Sequence, residues 1–136
     1  MMTSMRPAAI ATALLAVVSC GGDHTPTGPS GPVPGVLNVA LTTPNADDGA
    51  VLLTISGGPV VSVEAASPGY QVYSFTPDTM NVRLLVSGDI ATGALLRVHI
   101  ADTGRAAAYH ATIAQAASRT TFAQRNLTGY SFTIAP

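Results

Sequence analysis

The chain has 136 residues, no lysine, three histidines and a formal net charge of −1, which argues against the clustered basic surface a nucleic-acid-binding domain needs. Nearly half of its residues are hydrophobic and only 10% are charged, enough apolar material for one compact domain of about 100 residues. Its single cysteine, Cys20, rules out an internal disulfide, so the fold must be held by core burial alone.

The first predicted element is an export signal. Arg6 supplies a positive charge and Ala8 to Val18 an apolar run. A secretory signal has this order, with an apolar stretch of about 7–15 residues before small residues at the cleavage site. The run is short for a permanent membrane span, which takes about 20 apolar residues. Ser19 and Gly21 place small side chains on both sides of Cys20.

The stretch Val17-Val18-Ser19-Cys20 resembles the lipobox of bacterial lipoproteins. The resemblance covers about the first 20 residues. It implies that residues 1–19 are removed, that the Cys20 thiol receives a diacylglyceryl group and that the new α-amine is acylated. Two or three acyl chains on one residue hold a protein stably, where one holds it only marginally. The residue after Cys20 is Gly21 rather than Asp, which under the family's sorting rule implies the outer membrane rather than the inner. A free, exposed thiol in an oxidising compartment is a liability that lipidation removes.

The second element, residues 20–35, is a linker. From Gly21 to Gly35, nine of 15 residues are Pro or Gly and only Val33 is aliphatic. Such a segment cannot bury enough apolar surface to fold. In polyproline II form, at about 3.1 Å per residue, it reaches roughly 45 Å. His24 is a solvated residue of this tether. After Cys20 five arginines face seven acidic residues, a net charge near −2.

From Val36 to Pro136 the pattern changes to short alternating runs between turns. Leu37, Val39 and Leu41 alternate with Asn38, Ala40 and Thr42. Val82, Leu84 and Val86 alternate with Asn81, Arg83, Leu85 and Ser87. Leu96, Val98 and Ile100 alternate with Leu95, Arg97, His99 and Ala101. Tyr130, Phe132 and Ile134 alternate with Ser131, Thr133 and Ala135. A period of two puts one set on a core and the other toward water. Further strands are expected over Ala50–Ser56, Val60–Ala65 and Tyr70–Phe75. Asp48-Gly49, Gly57-Gly58-Pro59, Ser67-Pro68-Gly69, Thr76-Pro77-Asp78, Gly88-Asp89 and Asp102-Thr103-Gly104 read as turns, with Asp48-Gly49 closing a hairpin. The alanines of Arg105–Arg119 favour helix, but Tyr109, Ala111 and Ile113 alternate with His110, Thr112 and Ala114, so a strand is expected over Ala107–Ala114.

Seven to nine strands at this spacing predict an all-β fold, a single antiparallel β-sandwich. By length, strand spacing and lack of disulfides, Val36–Pro136 resembles cohesin-like or immunoglobulin-like sandwiches. No dockerin-contacting residue can be matched, so the resemblance implies the fold and not that partner. The segment Leu-Thr-Thr-Pro-Asn-Ala-Asp-Asp-Gly-Ala also looks like the opening of small bacterial lipoproteins, a likeness that brings no activity.

Candidate sites are few. Asn45, Asp47 and Asp48 put three oxygen-bearing side chains in one turn, a candidate calcium loop, although EF-hand spacing and a distal Glu are missing and a plain turn is the simpler expectation. Arg97 and His99 share one strand face and are candidates for an anion surface; solvated face positions explain them, and His110, equally well. Tyr70, Tyr73, Tyr109 and Tyr130 are candidates for a glycan platform if they share a face. Asn126-Leu127-Thr128 fits a glycosylation acceptor, a modification a bacterial lipoprotein is not expected to carry. There is no Gly-x-Ser-x-Gly elbow, no His-x-x-x-His metal pair and no phosphate-cradling Gly-rich motif. With Glu64 the only glutamate, a paired-carboxylate glycosidase site is not expected. The expectation is therefore a non-enzymatic, membrane-anchored envelope lipoprotein without a cofactor, meeting another envelope protein. The alternative is a glycan- or calcium-binding module.

Overall fold

The computed structural model describes residue 28 and residues 31–136; Cys20, His24 and the expected signal peptide lie outside the described residues. Eight strands form the domain: β1 (Gly35–Thr42), β2 (Asp48–Ser56), β3 (Val60–Ala65), β4 (Gln71–Phe75), β5 (Asn81–Ile90), β6 (Gly93–Ile100), β7 (His110–Ser118) and β8 (Ser131–Ala135). They make two four-stranded antiparallel sheets, one ordered β3-β6-β1-β8 and the other β4-β5-β2-β7. The all-β sandwich expected from the period-two pattern is the fold. β1, β2, β4, β5 and β8 each share one end with the expected span, and Val60–Ala65 coincides at both ends.

Between the sheets lie the predicted inward residues. Leu37, Val39 and Leu41 of β1 meet Val51, Leu53 and Ile55 of β2, Val82, Leu84 and Val86 of β5, and Leu96, Val98 and Ile100 of β6, all buried. Each such side chain contributes about 1.5–3 kcal/mol by leaving water, and together they replace the disulfides the chain lacks.

Four expectations need correction. Asp48-Gly49 does not close a hairpin: β1 and β2 belong to different sheets, so this segment carries the chain across the sandwich, and Asp48 opens β2. Gly88-Asp89 is not a turn but lies inside β5, where two residues of β5 oppose one of β2 between the pairs Asp48–Ile90 and Ala50–Ser87. Gly88 supplies the φ of +147° there, and a Cβ on it would meet the Gly69 carbonyl at 2.6 Å; a bulge uses the same glycine that marks a turn.

Leu95 does not face water but is 1% exposed. Val39 pairs with Leu96 and Ala40 with Ala94, so Leu95 is the extra residue of a bulge and turns inward beside Leu96. Lastly, Ala107 and Ala108 end a 3-10 helix, Thr103–Ala108, begun by the Asp102 carboxylate accepting from Gly104 N. The strand that follows starts at His110 and runs on to Ser118. Its alternation holds through Tyr109, Ala111 and Ile113, then changes phase at a register shift opposite Leu52/Leu53, which turns Ala116 and Ser118 inward.

Candidate functional site

β1 enters the sandwich at one end and leaves at the other. At the entry end the preceding chain is pinned to the 3-10 helix, with Thr103 N donating to Val33 O at 2.7 Å. At the exit end, the segment after β1 and the long β7–β8 connection meet in a polar network. Its centre is Asp48, whose carboxylate is 0% exposed. Thr43 Oγ1 donates to Asp48 Oδ2 at 2.6 Å, and Tyr130 OH donates to the same carboxylate, 2.8 Å from Oδ1 and 2.9 Å from Oδ2. Tyr130 OH in turn accepts from Asn45 Nδ2 at 2.8 Å. Arg125 Nε stands 3.5 Å from Asp48 Oδ1, without the alignment of a hydrogen bond; it is a charge contact. Burial of a carboxylate is tolerated only when its oxygens are satisfied in this way.

Asp47 points the other way. It accepts from Ser118 Oγ at 2.9 Å and Thr120 Oγ1 at 2.9 Å, and pairs with Arg125 Nη2. The hydroxyls of Thr120 and Ser118, followed by the Arg125 charge, hold its carboxyl below the ordinary value. Burial pushes the phenols of Tyr130 and Tyr109 up.

Thus the structure does bring Asn45, Asp47 and Asp48 together, but around Arg125 and four hydroxyls. Asn45 uses its amide as a donor, and the carboxylate oxygens face the guanidinium and O–H groups. Among the described residues no three His, Cys, Asp or Glu side chains converge.

The same network builds the loop after β7. Ser118 Oγ accepts from Thr120 N and Thr121 N, each at 3.2 Å. Ser118 O accepts from Phe122 N at 3.1 Å, and Ser118 N donates to Ala123 O at 2.9 Å. Arg125 N donates to Ala116 O at 2.8 Å, and Ala117 forms a bridge with Gln124. Held on both sides, Phe122 adopts φ +58°, a left-handed conformation that costs a bulky residue about 1–2 kcal/mol. Its ring is nevertheless 85% exposed. It stands over an apolar groove of about 340 Å³ on the outer face of the β4-β5-β2-β7 sheet, floored by Ala50, Leu52, Leu85 and Ala117 and flanked by Gln115 and Gln124. A bulky residue held at positive φ with its ring in solvent is not explained by burial in the core.

The other candidates are dispersed. Arg97 and His99 lie outward on β6, as expected, but β3 sets Glu64 opposite Arg97, and Glu64 Oε1 is 3.3 Å from His99 Nε2. An anion there would meet a carboxylate. His110 opens β7, on the other sheet. The four tyrosines do not share a face: Tyr109 is buried and donates to Pro59 O at 2.7 Å, Tyr130 belongs to the Asp48 network, Tyr70 packs against the core, and Tyr73 alone is well exposed. Asn126 Oδ1 accepts from Thr128 N and Oγ1 at 2.8 and 2.7 Å, shaping its own turn. Phe122 was not legible as a site residue. Its only sequence signal is a large aromatic in a run of turn-forming residues without alternation.

Compared with protein-family models, with curated proteins and with solved structures, the chain matches none.

Proposed function

We propose that this chain is an envelope lipoprotein, anchored through fatty acyl groups on Cys20, that displays a non-catalytic β-sandwich to another envelope protein. The lipobox-like Val17–Cys20 and the Pro/Gly-rich linker support the anchor, and Gly21 after Cys20 favours the outer membrane. The observation that carries the interaction role is Phe122, exposed and at positive φ above the Leu52–Leu85 groove. It sits at the end of the sandwich opposite the linker, where a tether holds it away from the lipid.

The glycan and calcium readings have less support. The tyrosines form no common platform, and Arg125 occupies the charge that a cation would balance at Asp47 and Asp48. Mass spectrometry of the mature N-terminus tests the anchor; a diacylated or triacylated Cys20 is expected, and an unmodified terminus starting elsewhere overturns it. Crosslinking in intact cells, comparing the native chain with Phe122→Ser, tests the contact. Loss of one discrete protein adduct in the variant is expected; recovery of a glycan and no protein, or a calcium-dependent rise in melting temperature, favours the alternative.

A further inference from the structure

The sandwich has four edge strands, β3 and β8 in one sheet and β4 and β7 in the other. An unprotected edge is a template for another strand, and proteins blunt it with charge, proline, bulges or a covering segment. β3 is interrupted by a bulge at Val61, between the pairs Val60–Ile100 and Ser62–His99, and carries Glu64. The far half of β7 is covered by the Ala117–Gln124 bridge and by Arg125 N. β8 turns only Ser131, Thr133 and Ala135 to solvent and stops at Pro136. Among the described residues β4, Gln71-Val72-Tyr73-Ser74-Phe75, has none of these devices. It pairs in unbroken register with β5 on one side, and its outward Tyr73 and Phe75 are 58% and 65% exposed.

We propose that the free edge of β4 pairs antiparallel with β4 of a second copy of this chain, centred on Tyr73. Charge and symmetry select this occupant. Centring on Tyr73 pairs all five residues: Tyr73 faces its own copy, Gln71 faces Phe75 and Val72 faces Ser74. No charge lies on either strand, and Arg83, which neighbours Phe75, is carried to opposite ends of the joint, so no like charges meet. Cross-strand aromatic pairs on one face are favourable. The outer row Leu52–Leu85–Tyr73, read across the existing pairs, continues without a break into the row of the second copy. The result is an isologous two-fold contact that joins two four-stranded sheets into one of eight. Strand addition of this type draws its affinity from main-chain hydrogen bonds, and five residues a side place it at the small, concentration-dependent end of interfaces. It requires neither acylation of Cys20 nor the Phe122 contact.

A residue on the two-fold axis tests this directly. In an antiparallel pair the Cβ atoms of directly opposed residues lie about 4.5–5.5 Å apart, close enough for a disulfide after small adjustment. The full chain with Tyr73→Cys, purified in detergent and mildly oxidised, is expected to form a disulfide-linked dimer about tenfold more than the unaltered chain or Thr133→Cys on the β8 edge. Adding Phe122→Ser should leave this trapping unchanged. Sedimentation of the native chain is expected to show a concentration-dependent dimer, and Tyr73→Lys, at an exposed position where the fold tolerates it, should abolish it with circular dichroism retained. Trapping no greater than for Thr133→Cys, a native chain monomeric at all concentrations, or a Tyr73→Cys adduct with a different protein would overturn the proposal.

Discussion

At the scale of single residues, the exit end of the sandwich is governed by two adjacent carboxylates with opposite surroundings. Asp48 is wholly buried under the hydroxyls of Thr43 and Tyr130. Asp48→Ala takes the acceptor from Tyr130 and leaves Thr43 Oγ1 only its long 3.5 Å contact with Asn45 O, and an orphaned buried donor costs about 1–3 kcal/mol. Chemical denaturation should therefore show a loss of about 2–4 kcal/mol, and Tyr130→Phe should destabilise as well, because it leaves the buried Asp48 carboxylate without its phenol donor and Asn45 Nδ2 without its acceptor. Asp47 is held below the ordinary carboxylate value by Thr120, Ser118 and Arg125. A depressed carboxyl contributes stability that is fully present above its unfolded value and is lost as pH falls through its folded value. The stability gap between the native chain and Asp47→Asn should thus be constant from about pH 5 to 8 and shrink below about pH 4. A gap that persists at pH 2 would show that the side chain acts through shape and not charge. Phe122→Gly relieves a left-handed backbone with little loss of burial; it should leave stability level or raise it by up to about 1 kcal/mol, the reverse of what an aromatic held for the core would do.

At the scale of elements, the bulges decide which side chains pack. Simple alternation places Leu95 and Leu85 alike, facing out of their strands. The bulge opposite Val39/Ala40 sends Leu95 into the core, 1% exposed, while Leu85 stays 39% exposed on the sheet face. Leu95→Ala should cost about 2–4 kcal/mol by leaving a cavity, and Leu85→Ala less than about 1 kcal/mol; equal losses in the two would contradict the bulge. The strand ends depend on a few close approaches. Gly57, at φ +110°, leads out of β2 with the Ala108 carbonyl 1.9 Å from where a Cβ would stand, whereas Gly93, at φ +140°, has open space. Gly57→Ala should therefore be the more damaging in a melting comparison: both pay for backbone strain, and only the first also displaces the start of β7.

At the scale of the molecule, only β4 and β5 are successive strands that also pair; every other connection crosses from one sheet to the other. Almost all the pairing is thus non-local, and such topologies fold in milliseconds to seconds rather than microseconds. Stopped-flow refolding should find a main phase in that range, without a submillisecond phase that recovers the native signal. This topology also sets the limit of what was legible in the chain. Alternation at Leu37–Leu41, Val82–Val86 and Leu96–Ile100 reports a local property, which side of a strand is dry, and it identified the strands and most of the core. Cys20 and the Pro/Gly tract likewise carry their implication in contiguous residues. The pairing of Asp47 with Arg125, the burial of Asp48 beneath Tyr130 and the exposure of Phe122 join segments more than 70 residues apart or depend on how a loop is held. Gly88 shows the same division within one residue: its type signals an unusual backbone, but only the strand across from it decides between a turn and a bulge. By itself the sequence determined the all-β class and the strands, because periodicity is read one residue after the next. The tertiary structure alone decided the sheet order, the inward turn of Leu95, the Arg125-centred network and the open β4 edge, because each depends on which distant segment lies alongside.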